Sequence, residues 1–162
     1  MGYLPYIDLT VSDGVVTAVA QGTIPEPDLS ALRSAKLSEL SAACNAAIVA
    51  GCDVTLSTTT GHIGLTDEDQ INLTTAVGAV NQGAEGYPYH LDGQLCAIYP
   101  AADIIAMGEA ATAHKLYHTT YCNHLMAWAR RATADELEGI TYGAELPADL
   151  AANMEGILNA VG

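Results

Sequence analysis

The sequence predicts an α+β fold: a mainly helical knob carrying short β-hairpins, with no extended sheet. Three observations predict it. Apolar residues recur at three-and-four spacing in several long stretches, each opened by Asp, Ser, Thr or Pro and closed by Gly or paired Arg. Short β-branched or tyrosine-bearing runs lie between those stretches, around Asp-Gly and other glycine turns. Half of the 162 residues are hydrophobic and only 15% are charged, which is enough apolar surface for a core.

The elements follow in order. Tyr3–Val11 alternates loosely, Ser12-Asp13-Gly14 signals a turn, and Val15–Val19 is rich in β-branched residues, so the start of the chain reads as a hairpin. Thr23-Ile-Pro-Glu-Pro27 then makes an extended connector. Asp28 or Ser30 caps a helix that runs to about Ala50 and stops at Gly51. Its stripe is Leu29, Leu32, Leu37, Leu40, Cys44, Ala47 and Ile48, and its first turns are expected to project as an arm that pairs with another copy. Residues 53–60 read as a short strand and Gly61–Gly64 as a turn and return. Thr66 caps the next helix, with Asp67, Glu68 and Asp69 facing the positive end of its dipole. Tyr87–Leu91, Asp92-Gly93 and Gln94–Tyr99 predict a second hairpin closed by a type I′ turn. Pro100 opens the longest helix, to about Ala132, with Asp103 in its first turn and Arg130 and Arg131 at its negative end. Thr133 and Glu136 form a capping box for a short helix, and Pro147 starts the last one. The expected organisation is a hairpin and connector over 1–27, a helical and hairpin domain over 28–132, and a helical extension over 133–162.

Charge narrows the function. Five basic residues stand against 19 acidic ones, a formal net charge of −14. A body that acidic repels phosphate backbones and anionic lipid, so neither nucleic acid nor a membrane surface is an expected partner. No run approaches the roughly 20 apolar residues of a membrane span, and the start lacks the features of an export signal. Cys44, Cys52, Cys96 and Cys122 form no C-x-x-C pair and are read as reduced thiols of a chain made in a reducing cytosol.

From Ala35 onward the order of signals resembles DUF4376, a domain family found in tailed-phage and prophage proteins. The matching pieces are Lys36-Leu-Ser-Glu-Leu-Ser-Ala-Ala-Cys44 and its continuation to Ile48, Leu65-Thr-Asp-Glu-Asp-Gln-Ile-Asn-Leu73, the Tyr89–Tyr99 hairpin, Pro100-Ala-Ala-Asp-Ile-Ile105, His114-Lys115 and Asn123-His124-Leu125. The resemblance covers roughly residues 35–130. It departs from the family where many members carry a tryptophan near the central hairpin; here the only tryptophan is Trp128. It implies a non-enzymatic structural or accessory part of a tail (fibre, tip or baseplate), resident in the virion and made in the bacterial cytoplasm. It also implies attachment to other tail proteins through the N-terminal segment, and the family has no established catalytic residues; association with further copies of the chain is expected through the first helix. No catalytic residue, metal or cofactor is carried over.

Several constellations offer chemistry beside a simpler reading. His114, His118 and Cys122 are spaced i, i+4, i+8 on one helix face, the spacing of a metal site, with His62, His90 or His124 as a fourth ligand. They lack the glutamate of His-Glu-x-x-His, and the simpler reading is a partly buried polar face. Among the cysteines only Cys52, just past a helix end, reads as exposed, and that pole does not lower a thiol pKa. Asp67, Glu68 and Asp69 are explained by helix capping rather than by calcium. No phosphate loop, dinucleotide fingerprint or nucleophile elbow is present. Tyr87, Tyr89 and Tyr99 alternate onto one hairpin face, either a host-ligand platform or a face covered by helices, and the second is favoured.

Overall fold

The computed structural model describes residues 7–22 and 28–161, which form six strands and five helices. The mainly helical α+β class is as predicted. The strands occur as three separate antiparallel pairs and never join into a larger sheet.

The first pair joins β1 (Ile7–Ser12) to β2 (Val15–Gln21). Asp13 and Gly14 both take positive φ, at 50° and 78°, which is the type I′ turn that matches strand twist. A bulge between Thr10 and Val11 shifts the register. The paired positions Leu9–Val19 and Val11–Val16, together with Ile7, put five aliphatic side chains on one face. All of these residues are at least half exposed. The connector expected at Thr23–Pro27, like the first six residues, lies outside the described residues.

Helix α1 (Leu29–Ala50) starts as expected, with the Asp28 carboxylate accepting from the Ser30 and Ala31 amides. It ends at Gly51, whose φ of 82° turns the chain into β3 (Cys52–Thr55). β4 is Thr60–Ile63, so Gly61–Ile63 is a strand and not the predicted turn. The reversal falls at residues 56–59. Leu56 is drawn into the core there and its amide donates to the Thr59 carbonyl. Helix α2 (Asp67–Asn81) opens with a reciprocal Thr66–Asp69 capping box.

The third pair, β5 (Gly86–Tyr89) and β6 (Ala97–Pro100), departs from expectation. Asp92-Gly93 does make a turn, with the Gln94 amide donating to the Leu91 carbonyl, but only Gly93 takes positive φ, at 71°, so it is not type I′, and it lies inside a loop of residues 90–96 instead of joining the strands directly. Leu91 is fully buried, and Asp92 is held away by two bonds: its amide donates to the His62 carbonyl and its carboxylate accepts from the Gly64 amide. Burial of one leucine and satisfaction of one carboxylate outweigh the intrinsic preference of Asp-Gly for a two-residue hairpin.

Helix α3 (Ala101–Arg131) has 31 residues and therefore spans about 46 Å. Its first half, through Ile104, Met107 and Ala111, shares one core with Leu73, Val80, Tyr89 and the β3–β4 residues Val54 and Ile63. Its second half, through Tyr121, Leu125 and Ala129, shares another with Leu40 of α1 and with Leu137, Ile140 and Met154. Those last three belong to α4 (Ala134–Gly139), its C-cap and α5 (Ala148–Val161). The break expected between 132 and 133 is therefore not a break in packing. The start of α1 is not a free arm either: Leu29 and Leu37 pack on the second core, and the Arg33 guanidinium donates to the Ala132 carbonyl at 2.7 Å.

Asp103 does more than face a helix dipole. It is 4% exposed and accepts from both the amide and the hydroxyl of Ser57, each at 2.8 Å, tying the β3–β4 turn to the start of α3. No helix among the described residues is long and apolar enough to cross a membrane.

Candidate functional site

The residues singled out for chemistry gather around the middle of α3. An alanine-rich stretch of α1 lets the two helices lie close and antiparallel, and polar side chains reach across to backbone carbonyls. His114 Nε2 meets the Ala47 carbonyl at 3.0 Å, the Cys44 thiol donates to the His118 carbonyl, and the Cys122 thiol donates to the Leu40 carbonyl. His114 and His118 do stand together, with ring centroids 4.3 Å apart. His118 Nδ1, however, is paired with the Tyr142 hydroxyl. The i, i+4, i+8 set thus shares a face, but each member is spent on a different neighbour. Among the described residues no three His, Cys, Asp or Glu side chains converge to hold a metal ion.

The proposed fourth ligands lie elsewhere. His62 joins the Asp53 carboxylate to the Ala50 carbonyl beside β3, and those acceptors raise its pKa, the carbonyl first. His124 bridges the Thr120 carbonyl and Asn153 of α5. His90 is exposed next to Tyr89.

The thiols carry no sign of activation. Burial, followed by the neighbouring Cys44 thiol, pushes Cys122 up to about 12. Burial and then the Asp53 charge raise Cys52. A raised pKa keeps a thiol protonated and a poor nucleophile at neutral pH. Cys52 is only partly buried, and the exposed thiol is Cys96, in the loop before β6, and not Cys52 as the sequence suggests. All four cysteines are free.

The tyrosine hairpin turns its rings inward. Tyr87 pairs with Tyr99 across the strands, and this face packs under α2 and α3. Tyr89 is 7% exposed and Tyr99 9%, while Ile98 on the opposite face is 78% exposed. The favoured reading, a covered face, is the one observed.

A different aromatic group gathers on α3, with Tyr117 half exposed, Tyr142 partly buried and Tyr121 buried. Tyr117 and Tyr121, one turn apart on α3, are stacked within 12° of parallel, and Tyr142 stands at 80° to Tyr121. Tyr142 lies in the segment between α4 and α5, placed there by the buried Ile140 and by the Gly143 turn. The Gly143 amide donates to the Tyr121 hydroxyl, which in turn donates to the Ala144 carbonyl. A cleft of about 570 Å³ opens beside these rings. The sequence offers little to find it: Tyr121 falls in the three-and-four pattern of the longest helix, and Ile140-Thr-Tyr142-Gly143 reads as the end of the short helix that Thr133 caps.

This burial predicts a pH response. Burial pushes Tyr89 and Tyr142 up to about 12, whereas in the unfolded chain they ionise near the ordinary value of about 10. The native state therefore holds two protons that the unfolded state has released between those values. Stability is unaffected by them below pH ~10 and falls as pH rises from ~10 to ~12. Phenolate absorbance of the folded protein is expected to show a late fraction near the upper value, reduced in Tyr142→Phe. A titration in which all eight tyrosines ionise together while the helices remain intact would contradict it.

With the geometry in hand, a family model for a domain of unknown function, DUF4376, matches residues 31–145. The chain belongs to the DUF4376 family. The match takes in α1 to α4, the three tyrosines of the cleft and the hairpin strands β3 to β6, and it extends past the 35–130 span marked by the sequence motifs. Among the described elements, α5, which lines one side of the cleft, the β1–β2 hairpin and the first two residues of α1 lie outside it. No curated protein and no solved structure matches the chain.

Proposed function

We propose that this DUF4376 chain is a non-enzymatic structural or accessory component of a phage or prophage-derived tail, a fibre, tail tip or baseplate, attached to a larger tail protein through its N-terminal hairpin. The observation that carries the attachment is the apolar face of β1 and β2. Five aliphatic residues, Ile7, Leu9, Val11, Val16 and Val19, are 50–64% exposed on one side of a two-stranded ribbon. An isolated hairpin is marginally stable in water, and a contiguous exposed apolar face marks an interaction surface. The opposite face pairs Asp8, Thr10 and Ser12 with Ala20, Ala18 and Val15, so it is the more polar side and the five-residue face is the more apolar one. Tail assembly requires contact of this kind and no chemical step. On this reading the protein resides in the virion after synthesis in the host cytoplasm and associates with further copies of itself.

The test is a double substitution, Leu9→Asp with Val19→Asp, in the full chain expressed in cells that encode it. The unsubstituted chain is expected to sediment with released particles and to crosslink to a tail protein. The variant is expected to lose that association by at least about tenfold, since two buried aliphatic contacts are worth roughly 3 kcal/mol or more. Its helical circular dichroism and melting temperature should hold, because no residue of β1 or β2 belongs to either core. Absence of the unsubstituted chain from purified particles would overturn the tail assignment. Retention of the double variant on particles would overturn the hairpin as the attachment point.

A further inference from the structure

We propose that the cleft between α3 and α5 binds an organic ammonium group, held against the faces of Tyr117 and Tyr142 and neutralised by Glu145 and Glu155. The site is independent of the tail reading.

The walls meet at a corner. Tyr117 is nearly parallel to Tyr121, and Tyr142 stands across Tyr121, so Tyr142 also stands steeply across Tyr117. Both rings line the cleft, and the face of a tyrosine ring attracts a cation through its quadrupole. Tyr117 is 48% exposed, which leaves its ring available. The floor is apolar, from Met154 and Leu158, and suits alkyl groups on nitrogen.

The charges agree with the rings. Glu145 and Glu155 line the cleft and both are exposed, while no lysine or arginine lines it. Burial, then the neighbouring His114, lowers the His118 pKa, so the imidazole at the back of the cleft is neutral at neutral pH. The whole chain carries −14, a field that concentrates cations and disfavours anions. A neutral sugar would use the rings but not the charge.

Two of the three rings are fixed before a ligand arrives. The Tyr142 hydroxyl is paired with His118, and the Tyr121 hydroxyl is held by Gly143 and Ala144. Less ordering is then left to oppose binding, that of the Tyr117 ring. At about 570 Å³ the cleft is within the range of small-ligand sites.

The probe is choline, titrated by calorimetry into the full chain at low salt. Its controls are the uncharged carbon isostere, in which a tert-butyl group replaces trimethylammonium, and glucose. Choline is expected to bind, the isostere at least about tenfold more weakly, and glucose more weakly still. Tyr117→Ala should weaken choline about five- to tenfold, as loss of one desolvated cation–π face implies. Tyr117→Phe should retain most of the affinity, and Glu155→Gln should weaken it with a smaller salt dependence. Amide shifts in the folded variants should localise to residues 142–146 and to α5. Equal binding of the isostere, preference for glucose, no choline binding at millimolar concentration, or an unchanged Tyr117→Ala would each overturn the proposal.

Discussion

Replacing Gly51 by alanine is expected to destabilise the protein by on the order of 4 kcal/mol, an effect read as a large fall in the midpoint of chemical unfolding. The glycine stands at the C-cap of α1 with φ at 82°, a region that residues with a side chain rarely enter. A methyl group there would sit 1.9 Å from the Ile63 carbonyl oxygen and 2.8 Å from Gly64 Cα. Both are backbone atoms, so no rotamer change relieves the clash. The strand β4 would have to move, and Ile63 is 1% exposed in the first core. Gly139→Ala is the control, because nothing lies within 4 Å of the added carbon. A Gly51→Ala variant within 1 kcal/mol of the parent would show that the α1–β4 contact is much softer than this geometry.

Ile140→Ala is expected to cost about 3 kcal/mol, the usual range for removing a fully buried aliphatic side chain. Ile140 is 0% exposed and packs with Leu40, Tyr121, Leu125 and Met154. Its consequence is wider than its size, because the second core joins α1 and α3 to everything after residue 132. One cooperative transition, shifted as a whole, is the expected result by circular dichroism and by Trp128 fluorescence. If the main transition stays in place while a small early one appears, the last thirty or so residues are an appendage after all. The same variant should loosen Tyr142 and so weaken choline binding, linking the fold directly to the cleft.

Much of the fold was legible because it is decided within a few residues. Asp28, Thr66 and Thr133 cap the helices they were expected to cap, since a side-chain oxygen satisfies free amides two or three positions away. The Asp13-Gly14 turn formed because both residues accept positive φ and nothing competes for them. Asp92-Gly93 has the same local chemistry and a different outcome, since Asp92 is claimed by His62 and Gly64. The site was less legible still. The alternation of Tyr87, Tyr89 and Tyr99 shows that they share a face, but not that the face is inside. The three-and-four pattern assigns Tyr121 to the stripe of α3 and says nothing of Tyr142, 21 positions later, standing across it.

The sequence by itself determined most of the helix limits, the first and third strand pairs, the acidity and the family. Those properties follow from backbone preference, side-chain periodicity and composition, each of which acts locally or as a sum. Only the tertiary structure decided that Asp103 would anchor Ser57, that Arg33 would reach Ala132, and that the aromatic corner would gather on α3 rather than on the hairpin. Such contacts join residues 99 positions apart in the case of Arg33, and at that separation a side chain's partner is chosen by how the cores pack.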